Sequence, residues 1–335
     1  MNLDKKSLPP YLRRKKIVRK NEPVYSIDSF GNGLKNVMYR VQTAEQRLIV
    51  KQAHSRVQIK ERWWVDRKRL FQEKSCVEIL SQILPPDVIP EVLLEDRTNF
   101  ILVSTAPSKD AVLWEQELST GRIDLQIASQ CGELLATVHN QTANMRDLKS
   151  MFKETKAFEQ LRIEPLYERI ARAHPDLKKA IDQQAKQLLK TKRALVLGDL
   201  RPRNVWLIRG QVYLVDFAAC HFGSPSFDLA FYASDLCLKA ILNSPQKAAY
   251  LEGINVFWAS YFRIAEYARR QVEEKNAVRD FGCLLLSSID GRLPSSPVDE
   301  ETQDLTRRIA HSLFFTELEK IEDITEFINR TLIDG

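Results

Sequence analysis

The order of apolar and polar positions divides the chain into a strand-rich first part and a mostly helical second part. The first part predicts antiparallel strands separated by turns at 31–33, 43–46 and 96–99, with the strands at about 24–30, 36–42, 47–53 and in two further segments between 85 and 107. A segment at 63–84 has helical spacing instead, with Leu70, Val77, Leu80 and Leu84 on one face. We therefore expect a small sheet lobe with one helix inserted after its third strand.

The second part, from about residue 110 onward, predicts helices. They are expected at about 124–142, 156–172, 176–192, 228–242, 246–273 and 300–335, with a loop at 287–297. One segment differs, because short apolar runs at 194–197, 205–208 and 212–215 predict buried strands of a hairpin. The expected fold class is α+β: a small antiparallel-sheet lobe at 24–105 and a larger helical lobe at 106–335. Between two such lobes lies a cleft that can clamp a nucleotide and exclude water.

The hairpin at 195–217 places three polar side chains, Asp199, Asn204 and Asp216, inside an apolar frame. Burying a carboxylate costs several kcal/mol unless it is paired or bound to a cation. The spacing of the three residues matches a kinase catalytic loop followed by a metal-binding aspartate. Asp199 would take or orient the proton of an acceptor hydroxyl, and Asn204 and Asp216 would hold Mg²⁺. The alternative is that all three are turn and capping residues.

Other residues fit the remaining needs of phosphoryl transfer, which are a backbone cradle and a cation on the phosphates. Gly31 and Gly33 lie at a strand–strand turn where backbone amides can approach phosphates, although an ordinary hairpin turn has the same composition. Lys51 lies on the third strand and Glu73 on the following helix, so the two can pair. Arg201 could reach the transferred phosphoryl group or be a surface charge of the loop.

Composition and charge exclude some classes of protein. The 335 residues are 44% hydrophobic and 28% charged, which is typical of a globular protein with real cores. No apolar run approaches the roughly 18 residues of a membrane span, and we expect no secretory signal. Five scattered cysteines without a CxxC pair favour free thiols and a cytoplasmic location. Eight Lys and Arg residues between 5 and 20 predict a solvated basic tail at 1–23, and we expect no nucleic-acid partner.

Three motifs around the hairpin resemble those of the aminoglycoside phosphotransferase and choline kinase-like superfamily. Members carry HGDxxxxN, then IDF or a similar triplet, then GDPxxDLA, and this chain has "LGDLRPRN", "VDF" and "GSPSFDLA". In addition, "LIVKQA" and "FEQLRIEPLY" resemble the methylthioribose kinase-like branch. The resemblance covers roughly residues 24–300.

The resemblance implies a protein-kinase-like, two-lobed fold with ATP and Mg²⁺ as cofactors. It implies Asp199 as the catalytic base and Asn204 and Asp216 as metal ligands. Lys51 would bind the α- and β-phosphates and be positioned by Glu73. The strand that includes Val103 and Thr105 would meet the adenine.

The chain also departs from the family pattern. Leu197 stands where the family has His, and Ser224 replaces the aspartate of GDP. Arg201 and Arg203 make the catalytic loop more basic and favour an anionic acceptor if they face the cleft. Arg162 is either an acceptor contact or a helix-packing residue.

Our leading hypothesis is therefore an ATP- and Mg²⁺-dependent kinase acting on a hydroxyl of a small metabolite, for which a methylthioribose-like sugar is the nearest guess. The alternative is a nucleotide-binding pseudokinase with a regulatory or scaffold role. Leu197 is the main reason for that alternative. The sequence makes no prediction of the oligomeric state.

Overall fold

A computed structural model describes residues 2–31, 33–267, 270–292 and 298–334. The small lobe contains one sheet and two helices, with these bounds: α1 Leu8–Arg14, β1 Val24–Ser29, β2 Asn36–Thr43, β3 Arg47–Ala53, α2 Arg69–Ile83, β4 Val92–Asp96 and β5 Ile101–Thr105. The expected strands and inserted helix are therefore present. The sheet is antiparallel in the order β1-β2-β3-β5-β4.

The two faces of this sheet have different partners because side chains alternate along each strand. Val50 of β3 pairs with Val103 of β5, and both are buried on the face covered by α1. Lys51 pairs with Leu102 on the opposite face, where Leu102 packs against Leu70 of α2. The register of β3 and β5 therefore aims Lys51 toward the helix and the cleft.

The N-terminal segment is not the solvated basic tail that its charge predicted. Residues 8–14 form α1, and Leu8, Tyr11 and Leu12 of this helix are buried against the sheet. The Tyr11 hydroxyl donates a hydrogen bond to Asp96 at 2.9 Å, and Lys15 forms a salt bridge with the same carboxylate. The basic side chains lie around an apolar stripe, so the segment is an integral part of the small lobe.

The large lobe is mostly helical, as expected. Its elements have these bounds: β6 Val112–Leu113, α3 Trp114–Ser119, α4 Leu125–Thr142, α5 Arg146–Met151, α6 Lys156–Phe158, α7 Arg169–Ala173, α8 Lys178–Lys190, β7 Ala194–Val196, β8 Val205–Ile208, β9 Gln211–Leu214, β10 His221–Gly223, α9 Ser226–Leu242, α10 Lys247–Ile264, α11 Arg270–Asp290, α12 Glu300–Phe315 and α13 Ile321–Asp334. Glu159–Glu168 is a π-helical segment, and Pro202–Asn204 and Ser244–Gln246 are 3₁₀ turns.

Several predicted helix bounds were wrong. The helix expected at 246–273 is interrupted, since α10 ends at Ile264 and α11 begins at Arg270. The helix expected from 300 to the end is likewise divided into α12 and α13. Of the loop expected at 287–297, residues 287–290 belong to α11, and residues 293–297 lie outside the described part of the chain.

The predicted hairpin strands exist, but the first of them pairs elsewhere. β8 and β9 form an antiparallel hairpin, and β6 extends it on the other side. β7 instead pairs with β10, so that Val196 lies opposite His221. The loop after β7 and the loop after β9 are thereby brought together at the floor of the cleft.

The large lobe has a continuous apolar core in which α9 is buried on almost every side. All five cysteines are buried free thiols: Cys76 in α2, Cys131 in α4, Cys220 before β10, Cys237 in α9 and Cys283 in α11. Within the described residues, no helix is long and apolar enough to cross a membrane.

Candidate active site

Lys51 and Glu73 form a buried ion pair on the cleft face of the small lobe. Lys51 Nζ lies 2.5 Å from Glu73 Oε1 and 3.6 Å from Asp216 Oδ1. Burial disfavours the charged ammonium, but Glu73 and Asp216 outweigh it and raise the pKa of Lys51. The lysine is therefore a fixed cation that connects helix α2 of the small lobe with the aspartate after β9.

Asp216 and Asn204 lie on neighbouring loops at the floor of the cleft. Asp216 has a left-handed backbone conformation (φ 68°), which is rare outside glycine and is typical of strained functional positions. Its side chain is 36% exposed, so the carboxylate is open to the cleft. The side-chain Nδ2 of Asn204 donates to the Asp199 backbone carbonyl at 2.9 Å, and the backbone carbonyl of Asn204 accepts from Val215 N at 3.0 Å. The amide oxygen of Asn204 is left to serve as a ligand.

Asp199 is almost fully buried and is surrounded by three arginines. Nε and Nη2 of Arg201 both lie 2.8 Å from Oδ1. Arg162 Nη2 lies 2.8 Å from Oδ2, and Arg203 Nη2 lies 3.0 Å from the same oxygen. Burial raises the pKa of Asp199, but Arg162 and Arg203 outweigh that effect and hold it below its usual range. Asp199 is thus an ionised carboxylate with both oxygens engaged.

Arg162 comes from the π-helical segment, far from Asp199 in sequence. Its Nε donates to the Gly198 carbonyl at 2.6 Å and its Nη1 to the Leu161 carbonyl at 2.7 Å. A π-helical turn is wider than an α-helical one and is often found at functional sites. The structure thus places the Arg162 side chain at the predicted catalytic loop. Its contact with an acceptor remains a prediction.

The loop after β7 is attached to the large lobe by Asp228 of α9. The fully buried Asp228 carboxylate accepts hydrogen bonds from Leu197 N at 2.7 Å and Gly198 N at 2.8 Å. His139 Nε2 lies 3.4 Å from the same carboxylate. Leu197 is itself buried in the core, so the position occupied by His in the family is braced here by packing and by backbone hydrogen bonds.

Gly198 makes this arrangement sterically feasible. Its φ of 78° is left-handed, and a Cβ at this position would lie 2.6 Å from the Ala219 carbonyl oxygen. The loops after β7 and β9 can therefore approach each other only because residue 198 has no side chain.

Gly31 and Gly33 lie in the β1–β2 loop, and Asn32 between them is outside the described residues. Both glycines have positive φ, 74° and 66°. A Cβ on Gly33 would have no described atom within 4 Å, so the space next to this glycine is open. The loop thus has the backbone freedom that a phosphate cradle requires, and its role remains a prediction.

The side chains of Val103 and Thr105, the residues predicted to meet the adenine, already have partners within the small lobe. The Val103 side chain is buried under α1, on the face of the sheet opposite Lys51. Thr105 ends β5, and its Oγ1 accepts a hydrogen bond from Glu91 N at 2.9 Å. The backbone amides of Thr105 and Ala106 donate to the Glu91 and Arg47 carbonyls, both at 2.9 Å, so the contact of this strand end with an adenine remains a prediction.

Sequence reasoning missed Lys35. It lies beside Arg162, Arg203, Asp199 and Asp216, and within the described residues its ammonium has no salt-bridge partner. Burial and then the two arginines lower its pKa to about 7. The buried Arg69 fixes this position by donating to the Lys35 carbonyl at 2.6 Å. No local motif marks Lys35, because its neighbours come from distant parts of the chain.

A segment between β3 and α2, residues 54–68, connects the two lobes; we call it the strap. Trp63 Nε1 donates to the Gln160 carbonyl at 2.9 Å, and Asp66 N donates to Gln160 Oε1 at 2.8 Å. Apolar residues of the strap pack against the large lobe, in a cluster of Val57, Trp63, Val65, Leu161, Ala218 and Ala219. The strap therefore joins the small lobe to the π-helical segment that carries Arg162.

These residues fit a nucleotide with a divalent cation. Asp216 and Asn204 supply hard oxygen ligands of the kind that Mg²⁺ prefers. Glu73 holds Lys51 through Oε1, and its other oxygen, Oε2, is buried without a hydrogen-bond partner among the described residues. A lysine fixed beside a cleft-facing carboxylate can hold phosphates next to a metal ion.

A small antiparallel-sheet lobe, a larger helical lobe and a polar cleft between them define a protein-kinase-like fold. The chain belongs to the phosphotransferase enzyme family, because the sequence model of that family matches residues 26–270. Among curated proteins, none matches the sequence. The specific resemblance to the methylthioribose kinase-like branch remains a prediction.

Solved structures show the same fold at low sequence identity. An amicoumacin kinase aligns with a TM-score of 0.61 at 12% identity, covering 97% of this chain and 100% of the other. The ethanolamine kinase of Plasmodium vivax aligns with a TM-score of 0.56 at 10% identity, covering 98% and 89%. The choline kinase of Cryptosporidium parvum Iowa II aligns with a TM-score of 0.56 at 12% identity, covering 98% and 100%.

Proposed function

We propose that this protein is an ATP- and Mg²⁺-dependent phosphotransferase that phosphorylates a hydroxyl group of a small molecule. The observation that carries the proposal is the connected set Glu73–Lys51–Asp216, with Asp199 and Asn204 on the adjoining loop. Lys51 would bind the phosphates, and Asn204 and Asp216 would hold the metal ion, which neutralises charge on the phosphates.

In this reaction the acceptor oxygen bonds to the γ-phosphorus of ATP while the bond to the β,γ-bridging oxygen breaks and ADP leaves. The hydroxyl proton passes to the Asp199 carboxylate, which also orients the hydroxyl. Arg201, which contacts Oδ1 of the same aspartate, would bind the transferred phosphoryl group. Catalysis of this kind consists of positioning and electrostatic stabilisation.

The test separates nucleotide binding from transfer. We expect Mg²⁺·ATP to bind the wild-type protein and Asp199→Asn with similar affinity, because Asp199 serves the acceptor. Asp216→Ala should lose the Mg²⁺ dependence of binding. Slow ATP hydrolysis, measured as the release of ADP, should be present in the wild type and fall at least about 100-fold in Asp199→Asn. Metal-independent binding in the wild type would contradict the proposal.

One observation favours a second candidate, a nucleotide-binding pseudokinase. Both carboxylate oxygens of Asp199 are engaged by guanidinium groups, and an engaged carboxylate is a weaker base. In that case Mg²⁺·ATP binds, but neither hydrolysis nor transfer to any acceptor responds to Asp199→Asn.

A further inference from the structure

Three guanidinium groups converge on one carboxylate at the floor of the cleft. Arg162, Arg201 and Arg203 all contact the single carboxylate of Asp199. Among the described residues, no other carboxylate forms a salt bridge with these three guanidinium groups, at the place where an acceptor hydroxyl must approach Asp199. Lys35, on the facing small lobe, adds a further ammonium group when it is protonated.

The nearby acids form no salt bridge with these guanidinium groups among the described residues. Glu115 and Asp235 lie on the Arg203 side of the site, but Lys239 Nζ bonds both of them, at 3.0 and 2.6 Å. Asp216, on the other side, faces Lys51 and is the predicted metal ligand. Within the described residues, these acids leave no unengaged carboxylate for a cationic acceptor such as choline.

The guanidinium groups are held in place independently of Asp199. The Arg201 guanidinium stacks over the ring of Phe231 at 4.0 Å, and that of Arg162 lies 5.4 Å from the same ring. Two backbone carbonyls also anchor Arg162. Arg203 is different, because its side chain is 44% exposed and can move. A rigid pair of arginines with one mobile arginine is suited to recognising an oxyanion, since guanidinium groups bind carboxylates and phosphates through two parallel hydrogen bonds.

We propose that the acceptor is a hydroxyl compound bearing a phosphate or carboxylate group, which Arg162, Arg201 and Arg203 bind. The anion of the acceptor takes over hydrogen bonds that these arginines otherwise make to Asp199. One oxygen of Asp199 is thereby freed to accept a hydrogen bond from the hydroxyl that is phosphorylated. The anion thus sets specificity and prepares the base in one step. This inference rests on the proposed function, since it concerns the acceptor of that reaction.

The experiment uses the full-length protein loaded with Mg²⁺ and AMP-PNP, so that the γ-phosphate position is already filled. Isothermal titration calorimetry at constant ionic strength then compares four small probes: glycerol 3-phosphate, glycerate, glycerol and choline. We expect one or both anions to bind at least about tenfold more tightly than glycerol, a difference of about 1.4 kcal/mol, and choline not to bind. The two anions tell a phosphate from a carboxylate.

Variants assign the binding to the arginines. With the protein saturated in AMP-PNP, Arg201→Gln combined with Arg203→Gln should weaken the binding of the preferred anion at least about tenfold. Arg203→Gln alone perturbs only a half-exposed side chain, and it should show a smaller loss even if the double variant fails to fold. Arg172→Gln is the control for Arg203→Gln, because it also removes one positive charge, here from an exposed arginine paired with Glu168. It should leave the affinity for the anions unchanged.

Each contrary outcome overturns a defined statement. If glycerol or choline binds as tightly as the anions, or no anion binds at millimolar concentration, the anionic acceptor is wrong while the nucleotide site stands. If the anions bind equally well to the arginine variants, binding occurs elsewhere and the proposal also fails. If AMP-PNP itself does not bind with Mg²⁺, the proposed function fails, and this inference fails with it.

Discussion

Replacing Asp228 with Asn tests whether one buried carboxylate holds the catalytic loop on the large lobe. The carboxylate accepts from two backbone amides, Leu197 N and Gly198 N. A neutral amide can accept only through its oxygen, so it keeps one of these bonds and turns its NH₂ group toward the other N–H. Hydrogen bonds to charged groups contribute about 1.5–3 kcal/mol, and an unpaired buried N–H costs about 1–3 kcal/mol more. We therefore expect Asp228→Asn to lower the free energy of unfolding by about 3 kcal/mol.

Urea unfolding followed by circular dichroism measures this loss, with the slope checked for equality between variants. Asp299→Asn is the matched control, because Asp299 caps α12 by accepting from Thr302 N and asparagine caps helices equally well. The control should change stability by less than about 0.5 kcal/mol. A loss below about 1 kcal/mol in Asp228→Asn would refute the reasoning, since it would mean that the two amides find other partners.

Three further results are expected. Gly198→Ala should destabilise the protein by at least about 1 kcal/mol more than Gly210→Ala in urea unfolding. Both glycines have φ near 77°, but of the two only Gly198 would place a Cβ against backbone atoms. Equal losses would mean that the loops after β7 and β9 can separate freely. Tyr11→Ala should cost about 3 kcal/mol in the same assay, whereas an unchanged midpoint would mean that α1 does not pack on the sheet. The affinity for glycerate should fall between about pH 6 and about pH 8 in the wild type. Lys35, with a pKa of about 7, loses its proton in this range, whereas the carboxylate of glycerate stays ionised. The surrounding charged groups, Arg162, Arg203, Asp199 and Asp216, keep their charges. In Lys35→Met the titration should be flat, and a persisting pH dependence would assign the proton to another group.

The strands of the small lobe and of the hairpin could be predicted because their signal is local. β3 has the bounds that its apolar run and flanking turns predict, Arg47–Ala53. Asp199, Asn204 and Asp216 were likewise predicted from spacing alone. Their apolar surroundings made three polar residues conspicuous, and the structure places all three at one cleft.

What could not be predicted depends on contacts between distant segments. The Arg162 side chain reaches Asp199 only because the π-helical segment packs beside the loop after β7. Burial lowers the pKa of Lys35 most, followed by Arg162 and Arg203, which are at least 127 positions away in the chain. Neither environment leaves a trace in the local sequence.

The N-terminal helix was missed for a different reason. Leu8, Tyr11 and Leu12 have the i, i+3, i+4 spacing of an amphipathic helix, so a local signal was present. The density of Lys and Arg around them predicts a solvated segment instead. The structure shows both features at once, because the basic side chains surround the buried stripe.

The five buried thiols distribute chemical reporters through both lobes. Cys76 lies in the small lobe's helix α2, whereas Cys237 and Cys283 lie deep in the large lobe. A thiol reagent can modify each of them only when its surroundings open, and different regions of a protein open with different free energies. Cys76 is buried in the same apolar cluster as Cys237 and Cys283, so its labelling reports the separation of α2 from the large lobe, whereas theirs reports the opening of the large lobe itself. Pulse labelling with mass spectrometry of the unmodified protein can therefore distinguish these two openings when nucleotide and acceptor bind.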